Sequence, residues 1–240
     1  MHATTTFWLV RWPVASALAG GLAFSALALA TLLLPAERSL AALAGQATVI
    51  DGDTLELAGR RVRLEGIDAP EAAQSCPRRI VGSWACGKAA ARQLARMIDG
   101  KRLRCDERGT DSYGRMLGVC FADGLDVNAQ MVRTGYAWAF VKYSDSYVQE
   151  EAAARARNAG IWQAKAEPAW EYRAKRWQGA EQTAPEGCAI KGNISANGRI
   201  YHMPWSAWYE RVRIDEGDGE RWFCSEAEAL AAGWRPVMVH

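Results

Sequence analysis

Acidic residues and arginines share the stretch from Asp51 to Arg115 in an order that suits phosphodiester chemistry. They fall into four groups: Asp51-Gly52-Asp53-Thr54, Arg63, Asp68-Ala69-Pro70-Glu71 and Asp111-Ser112-Tyr113-Gly114-Arg115. Carboxylates are the hard oxygen ligands that divalent cations prefer, and arginines offer planar forks that grip two phosphate oxygens at once. Together these residue types predict a metal-assisted site that acts on nucleic acid.

The distribution of histidine narrows this chemistry. The three histidines are His2, His202 and His240, so none lies in the stretch that carries the acids and arginines. A site in that stretch cannot use histidine as a general base or nucleophile, which disfavours histidine-dependent nucleases and Ser-His-Asp hydrolases. Glu71 is then the acid best placed by sequence to act on a water, directly or through a metal.

A continuous EF-hand loop is excluded as the source of metal ligands. Counted from Asp51, the sixth position is Glu56 where that loop needs Gly, and the twelfth is Val62 where it needs Glu. Any calcium ion would therefore be held by carboxylates from separate segments. The turn-forming character of Asp-Gly and Asp-Ala-Pro leaves open the alternative that these acids only shape loops.

Arg61 and Arg63 stand two residues apart in a predicted strand. Because side chains alternate between the two faces of a strand, both arginines lie on one face and Val62 on the other. A buried arginine needs an anionic partner, which is either a carboxylate or a bound phosphate. An ordinary surface strand is the alternative interpretation.

Short strands and a few helices surround these residues. The predicted strands are 47–50, 54–57, 61–66, 102–106 and 116–121, and the predicted helices are 83–98, 126–133 and one capped by Ser144 or Asp145 that runs to Asn158. Five strands with a helix after the third and two at the end suit a small closed or partly open barrel with flanking helices. The fold class is therefore mainly β with α.

The N-terminal segment differs from the rest of the chain. Residues 12–35 carry no charge, and the run is long enough to span a hydrocarbon core of about 30 Å. It exceeds the usual apolar run of a signal peptide, roughly 7–15 residues, and Arg11 before it favours a cytoplasmic N-terminus. We favour an uncleaved signal anchor formed by an N-terminal apolar helix. A long signal cleaved near Ala42-Leu43-Ala44 and a later translation start are the alternatives, and all three place the remainder outside the cytoplasm.

All six cysteines follow the apolar segment. An even count in an exported chain favours disulfides, although six cysteines allow 15 pairings. None forms a Cys-x-x-Cys motif, which disfavours a zinc ribbon or a thioredoxin-type site. Pairing of neighbours along the chain predicts the bridges Cys76–Cys86, Cys105–Cys120 and Cys188–Cys224.

The chain divides into four predicted regions: a signal anchor or signal peptide at 1–44, the barrel domain at 45–165, a linker at 166–184 and a small cysteine-paired module at 185–240. The linker mixes charges, Trp and Pro without a clear period. A module of about 50 residues depends on a staple such as Cys188–Cys224, and zinc held by Cys188, His202 and Cys224 is the alternative. The net charge of +2 is close to neutral, so affinity for polyanions must come from local patches.

Four blocks of the sequence resemble the signature motifs of the staphylococcal nuclease (thermonuclease) family. They are residues 49–54, 62–71, 111–115 and 160–162, and the resemblance extends over about 46–164. It implies a five-stranded oligonucleotide-binding-type (OB-fold) barrel with three helices. It also implies calcium-dependent hydrolysis of DNA and RNA that leaves 3′-phosphate ends. The tail from Cys188 is similar to a small module found after such nuclease domains in bacteria.

The resemblance assigns metal-binding roles to one set of residues. Asp53 and Asp68 match the calcium-binding carboxylates, and the main-chain oxygen of Ala69 matches a further ligand. Asp51 matches an acid that supports the water shell of the metal. Ala69 stands where the family has Thr, which is compatible with a ligand that uses only the main-chain oxygen.

The resemblance also assigns catalytic and substrate-binding roles. Arg63 and Arg115 match the phosphate-binding arginines, Glu71 matches the proposed general base, and Tyr113 matches a substrate-side tyrosine. A second substrate-side tyrosine has no certain match, because an ungapped alignment places Val141 there and Tyr143 two residues later. Residues 74–87 form an extra cysteine-bearing loop that could reshape substrate access.

The leading hypothesis is a calcium-dependent endonuclease acting outside the cytoplasm on DNA and RNA, with single strands favoured. We expect a monomer, at the cell surface or in the periplasm of a bacterium if anchored through its apolar segment, and secreted if that segment is cleaved. The alternative is a non-catalytic nucleic-acid or surface-binding module on the same barrel. Loss of catalysis would first remove the acids or arginines, and all of them are present.

Overall fold

In the computed structural model, residues 42–237 are described. The predicted N-terminal apolar helix falls within residues 1–41 and lies outside the described part. No helix of residues 42–237 is long and apolar enough to cross a bilayer.

The strands of the described chain form one large sheet, a smaller four-stranded sheet and two short pairs. In chain order they are β1 (Ala42–Gly45), β2 (Ala47–Val49), β3 (Thr54–Leu57), β4 (Arg60–Leu64), β5 (Ile67–Asp68), β6 (Cys76–Pro77), β7 (Ser83–Trp84), β8 (Leu103–Thr110), β9 (Met116–Ala122), β10 (Leu125–Asp126), β11 (Trp138–Ala139), β12 (Ile190–Ser195), β13 (Gly198–His202), β14 (Arg221–Phe223) and β15 (Arg235–Pro236).

The large sheet has the strand order β1-β8-β9-β4-β3-β2, and β10 pairs with β9 as a seventh strand. Its neighbours are antiparallel except β4 and β9, which run parallel. The curled sheet with flanking helices confirms the predicted class of β with α and is consistent with an OB-like fold. The prediction of five strands was wrong, because β1 and β10 add to the sheet. β10 is only two residues long, and β1 was interpreted as the end of the leader.

The side chains of the sheet follow the predicted alternation. Along β4, Val62 is buried while Arg61 and Arg63 are only partly so, which confirms that the two arginines share a face. The opposite face of the sheet packs against helices and forms the main core, in which Leu55 and Leu94 are fully buried. One face of β4 thus packs into the core, and the other face carries the two arginines.

Five α-helices and three short 3₁₀ helices lie within residues 42–237. They are α1 (Cys86–Ile98), α2 (Val127–Arg133), α3 (Val148–Ala156), α4 (Ala169–Glu181) and α5 (Glu226–Ala231), with 3₁₀ turns at Gly160–Gln163, Pro185–Gly187 and Glu216–Asp218. The predicted start of α2 is confirmed, since the side chain of Asp126 accepts a hydrogen bond from the N–H of Ala129. Such a cap satisfies one of the unpaired donors at a helix N-terminus.

Two predicted helix starts were wrong. Helix α1 begins at Cys86, because the preceding residues form the hairpin of β6 and β7. Helix α3 begins at Val148 with Tyr147 at its N-cap, and neither predicted cap residue serves it. The Ser144 hydroxyl instead accepts a hydrogen bond from the N–H of Ser146 at 3.3 Å.

The segment 166–184, expected to be a linker without regular structure, contains helix α4. Its predicted lack of period has a physical reason: only Ala169 and Ala180, near its two ends, are fully buried. Ala169 belongs to an apolar cluster with Trp138 and Ile161, while Ala180 packs with residues of the C-terminal module. The helix therefore contacts a different neighbour at each end and has no continuous apolar stripe.

The C-terminal module is a four-stranded sheet in the order β14-β12-β13-β15. Its core consists of Ile190, Tyr201, Phe223, Ala229 and Trp234. All three predicted disulfides, Cys76–Cys86, Cys105–Cys120 and Cys188–Cys224, are confirmed. The last of these overturns the zinc alternative, because it leaves neither sulfur as a thiolate ligand.

Candidate active site

Asp53 lies in the turn before β3, and hydrogen bonds hold both oxygens of its carboxylate. The residue is 4% exposed. Oδ1 accepts a hydrogen bond from Arg63 at 2.8 Å, and Oδ2 accepts one from the N–H of Ala69 at 2.9 Å. Burial alone would raise the pKa of Asp53, but the charge of Arg63 and the N–H of Ala69 lower it. Asp53 is therefore held as a carboxylate.

Asp68 lies in β5 and is 0% exposed. Its Oδ1 accepts hydrogen bonds from Arg63 at 2.9 Å and from Arg173 at 3.0 Å, and its Oδ2 accepts a second bond from Arg173 at 2.9 Å. Pairing of β5 with β11 places Trp138 opposite Asp68. Arg63 consequently bridges the two predicted metal ligands, Asp53 and Asp68.

Glu71 follows β5 on a tightly held turn. Its N–H donates to the side chain of Gln74 at 3.1 Å, and its carbonyl accepts from the N–H of the same residue at 2.7 Å. A Cβ on Gly87 would lie 1.7 Å from that carbonyl oxygen, so only glycine allows α1 to approach so closely. Burial raises the pKa of Glu71 to about 8 although Arg173, 2.7 Å away, lowers it. Near-neutral pKa values suit a group that exchanges protons.

Asp51 lies behind the two central carboxylates. Its Oδ1 accepts a hydrogen bond from the N–H of Asp53 at 3.0 Å, which fixes the turn between them. Burial, assisted by the charge of Asp53, raises the pKa of Asp51 to about 6. A Cβ on Gly52 would meet those of Ala69 and Ala90 at 2.7 and 2.8 Å, so glycine is required where this turn packs on α1.

Arg115 is positioned by the loop between β8 and β9. Its Nε donates to the carboxylate of Asp111 at 2.7 Å, and its backbone N–H donates to the other oxygen of that carboxylate at 2.9 Å. The guanidinium carbon also lies 5.3 Å from the centre of the Tyr113 ring. The hydrogen bond through Nε orients the guanidinium.

A cleft of about 760 Å³ brings most of the predicted site residues together. Asp51, Asp53, Ala69, Glu71, Arg63, Arg115, Tyr113 and Tyr143 all line it. Tyr113 is 40% exposed and Tyr143 70% exposed, and Tyr143 packs edge-on against Phe140 at 5.0 Å. Val141, the other candidate for the second tyrosine position, is exposed but does not line the cleft.

The C-terminal module forms part of the wall of this cleft, which the sequence did not predict. Met203 and Trp205 line it from the module side. Arg61 on β4 donates to the Tyr201 hydroxyl at 3.3 Å and lies 3.8 Å from Glu226, and that hydroxyl in turn donates to Glu226. Arg61, on the same face of β4 as Arg63, thus holds the module at the edge of the cleft.

Arg173 on α4 is the other residue that the sequence did not predict. Aromatic contacts anchor the first turn of its helix: the Trp170 ring lies 6.0 Å from Trp138 and stacks on Phe140 at 5.6 Å. Gln74, which holds Glu71, also donates to the carbonyl of Glu167 just before the helix at 2.7 Å. The partners of Arg173 are about a hundred residues away in sequence, so no local motif could have revealed them.

The donor types of the site suit a hard cation. Two buried carboxylates and the main-chain oxygen of Ala69 are oxygen ligands of the kind that Ca²⁺ prefers. Within residues 42–237, no three His, Cys, Asp or Glu side chains converge as they would around a metal ion. Guanidinium groups hold the carboxylates instead: Arg63 binds both Asp53 and Asp68, and Arg173 binds Asp68.

Buried acids, two oriented arginines and an exposed tyrosine on a curled OB-like sheet define a phosphodiester-cleaving enzyme. The sequence pattern described as "Staphylococcal nuclease homologue" matches residues 61–164, and a second pattern, "ArfC", matches residues 174–236. The chain belongs to the staphylococcal nuclease homologue family, and it is a nuclease.

Similar proteins support this assignment. The chain is 40% identical over 154 residues to the succinoglycan biosynthesis protein ExoI of Rhizobium meliloti (strain 1021), covering 62% of this chain and 80% of that protein. It is 36% identical over 138 residues to an uncharacterized endonuclease of Escherichia coli O157:H7, covering 53% and 82%. It is 34% identical over 170 residues to a micrococcal nuclease of Shigella flexneri, covering 63% and 92%.

Proposed function

We propose that this nuclease depends on calcium, hydrolyses DNA and RNA with a preference for single strands, and leaves 3′-phosphate ends. The observation that carries the proposal is the convergence of Arg63, Arg115, Glu71 and Asp53 on one cleft, with the buried Asp68 paired to Arg63 beside it. Positively charged forks beside a proton acceptor are what in-line attack of water on phosphorus requires.

The calcium ion would be held by Asp53, Asp68 and the main-chain oxygen of Ala69, with Asp51 supporting its water shell. When bound, it supplies Lewis-acid polarisation of a phosphoryl oxygen. These residues fit the ion by donor chemistry, because hard carboxylate and carbonyl oxygens are its preferred ligands.

The remaining steps belong to side chains of this chain. Glu71 accepts the proton of the attacking water, and its raised pKa makes it a stronger base than an ordinary carboxylate. Arg115, oriented through Nε by Asp111, binds the scissile phosphate and offsets the charge that develops on it. Arg63 acts in the same way from the floor of the cleft, and Tyr113 and Tyr143 stack on the bases.

We also propose that the domain works outside the cytoplasm, at the cell surface or in the periplasm, with the N-terminal segment as anchor or signal. The three disulfides support this, since such bridges persist in oxidising compartments. Mass spectrometry of the mature N-terminus tests the processing of that segment.

The test of calcium dependence uses the purified full-length chain with single-stranded and duplex DNA and with RNA. We expect cutting with calcium and none after chelation, with 3′-phosphate ends identified by mass spectrometry. Replacement of Glu71 by Gln, or of Arg63 or Arg115 by Ala, lowers kcat by about 10²–10³, the usual loss for a transition-state contact. The matched control is Arg102→Ala, because Arg102 is exposed and does not line the cleft. Chelator-insensitive cutting refutes the proposed mechanism, and tight retention without cutting favours a binding module.

A further inference from the structure

Both oxygens of Asp68 already accept hydrogen bonds from guanidinium groups. Arg173 donates to Oδ1 at 3.0 Å and to Oδ2 at 2.9 Å, and Arg63 donates to Oδ1 at 2.9 Å. The side chain is fully buried, so solvent does not reach it on another side. The two-pronged contact with Arg173 is the planar geometry that makes an arginine–carboxylate pair specific.

The same guanidinium also binds Glu71. Its NH1 group lies 2.7 Å from Oε1 of Glu71 while bonding to Asp68. Arg173 therefore occupies the space between the predicted metal ligand and the predicted general base. Calcium binds oxygen at about 2.3–2.6 Å, so a cation on Asp68 would have to share its two oxygens, and the space beside them, with the guanidinium of Arg173. The cation would also lie beside the positive charge of Arg173. Their mutual repulsion is stronger in a partly buried site than in water, because the effective dielectric constant is lower there.

Arg173 reaches this position from outside the nuclease fold. The family pattern matches residues 61–164, whereas Arg173 stands on α4, which leads into the C-terminal module. Stacking of Trp170 on Phe140 and the hydrogen bond of Gln74 to Glu167 fix the start of that helix against the site. Packing of the start of α4 against Phe140 and Gln74 thus brings Arg173 into contact with the acids.

We propose that Arg173 competes with the divalent cation for Asp68 and Glu71, so that its guanidinium leaves them when the cation binds. Arg173 is then a residue of the active site that lowers the affinity for the cation. The inference rests on the proposed calcium dependence. Its consequence is that the segment after the nuclease domain sets the cation concentration at which the enzyme works.

The test is calcium titration by isothermal calorimetry on the full-length chain without substrate. Arg173→Gln is expected to bind calcium about tenfold more tightly than the unmodified chain, within the usual range for coupled binding. Arg173→Lys keeps the charge but not the planar fork and should fall between the two. The matched control is Arg176→Ala on the same helix, since Arg176 pairs with the exposed Glu210 and does not line the cleft.

Circular dichroism melts establish that each variant is folded, and Arg173→Met supplies a second uncharged variant of similar length. Equal calcium affinity in the unmodified chain, Arg173→Gln and Arg173→Met overturns the competition and leaves the proposed calcium dependence intact. Absence of calcium binding in every variant overturns both. Tighter binding in Arg176→Ala as well would show a general charge effect and would likewise overturn the specific role of Arg173.

Discussion

Opposite charges at the candidate active site stabilise one another in a largely buried group. Burial alone would lower the pKa of Arg63, yet Asp53 and Asp68 raise it above its ordinary value. The pKa of Arg173 is raised by Asp68 and Glu71 against the same opposing effect of burial. Removal of one member of such a group leaves a buried charge without a partner, which is strongly unfavourable. Substitutions in this group should therefore be read together with a measurement of stability.

His202 offers a prediction for the C-terminal module. Burial, assisted by the charge of Lys191, lowers its pKa from 6.5 to about 4. Below pH 6.5 the unfolded chain therefore takes up a proton at this residue that the folded chain does not. The free energy of unfolding should decrease as the pH falls from 6.5 toward 4. Urea denaturation at pH 7.5 and pH 5 measures this loss.

The variant His202→Gln removes the titrating ring from this comparison. A glutamine can still bond to Asn193, whose Oδ1 lies 2.9 Å from Nε2 of the histidine. We expect the variant to lose less stability than the unmodified chain between the two pH values. An identical loss in both proteins would assign the acid sensitivity to other groups.

For single residues, the sequence predicted the orientation of side chains where that orientation depended on local spacing. The shared face of Arg61 and Arg63 followed from alternation in one strand, whereas the choice of a carboxylate or a bound phosphate as the arginine's partner was left open. Arg173 could not be found in this way. Its contacts depend on how a helix packs, and Asp68 lies 105 positions before it in the sequence, with no pattern that links the two.

Among the elements, close approach of α1 to the turn at Glu71 positions the proposed base. Gly87→Ala would place a Cβ 1.7 Å from the carbonyl oxygen of Glu71. We expect the variant to lose about 1–3 kcal/mol of unfolding free energy, as overpacked sites do. It should also cut nucleic acid more slowly, because the turn that carries Glu71 must move.

Gly179→Ala is the matched control, since it adds the same methyl group to a helix. A Cβ there meets nothing within 4 Å. Alanine should raise the unfolding free energy by about 0.8–1.0 kcal/mol through its higher helix propensity, with the rate unchanged. Thermal and urea unfolding with a parallel cleavage assay compare the two variants. Unchanged stability and rate in Gly87→Ala would refute the role of this contact.

Elements with a strong local signal were predicted closely. Strand β3 has the predicted bounds, and α2 begins after the predicted Asp126 cap. Elements that depend on distant partners were missed. Strand β1 is short and consists of small apolar residues, so only its pairing with β8 identifies it. Helix α4 was missed because its two ends are buried against different neighbours.

For the molecule as a whole, the nuclease sheet and the C-terminal module share one cleft. The wall residue Trp205 lies 6.2 Å from Trp177 of α4, which supports it. Base stacking on an aromatic side chain contributes about 1–3 kcal/mol. We expect Trp205→Ala to raise KM for a single-stranded oligonucleotide accordingly, with a smaller effect on kcat.

The control for Trp205 is Trp208→Ala in the same module. Trp208 is 48% exposed and does not line the cleft, so its removal should leave KM unchanged. Steady-state kinetics on one oligonucleotide compares the two variants. Equal KM values in both would show that the module wall does not contact substrate.

The joint cleft could not be predicted from the sequence, although each half could be recognised. Composition and cysteine pairing predicted two parts. Their contact depends on pairs such as Arg61 and Tyr201, which are 140 residues apart. Only the folded chain shows that the second part forms part of the wall of the cleft.

If the residues before the barrel are removed as a signal, strand β1 limits where the cut can fall. Cutting after Ala44 would detach most of β1, whose Ala42 and Leu43 pair with Asp106 and Cys105 on β8. The freed edge of β8 would then present unpaired backbone groups, a template for aggregation between chains. A cut that keeps this sheet intact must therefore fall before Ala42, ahead of the small-residue pattern Ala42-Leu43-Ala44.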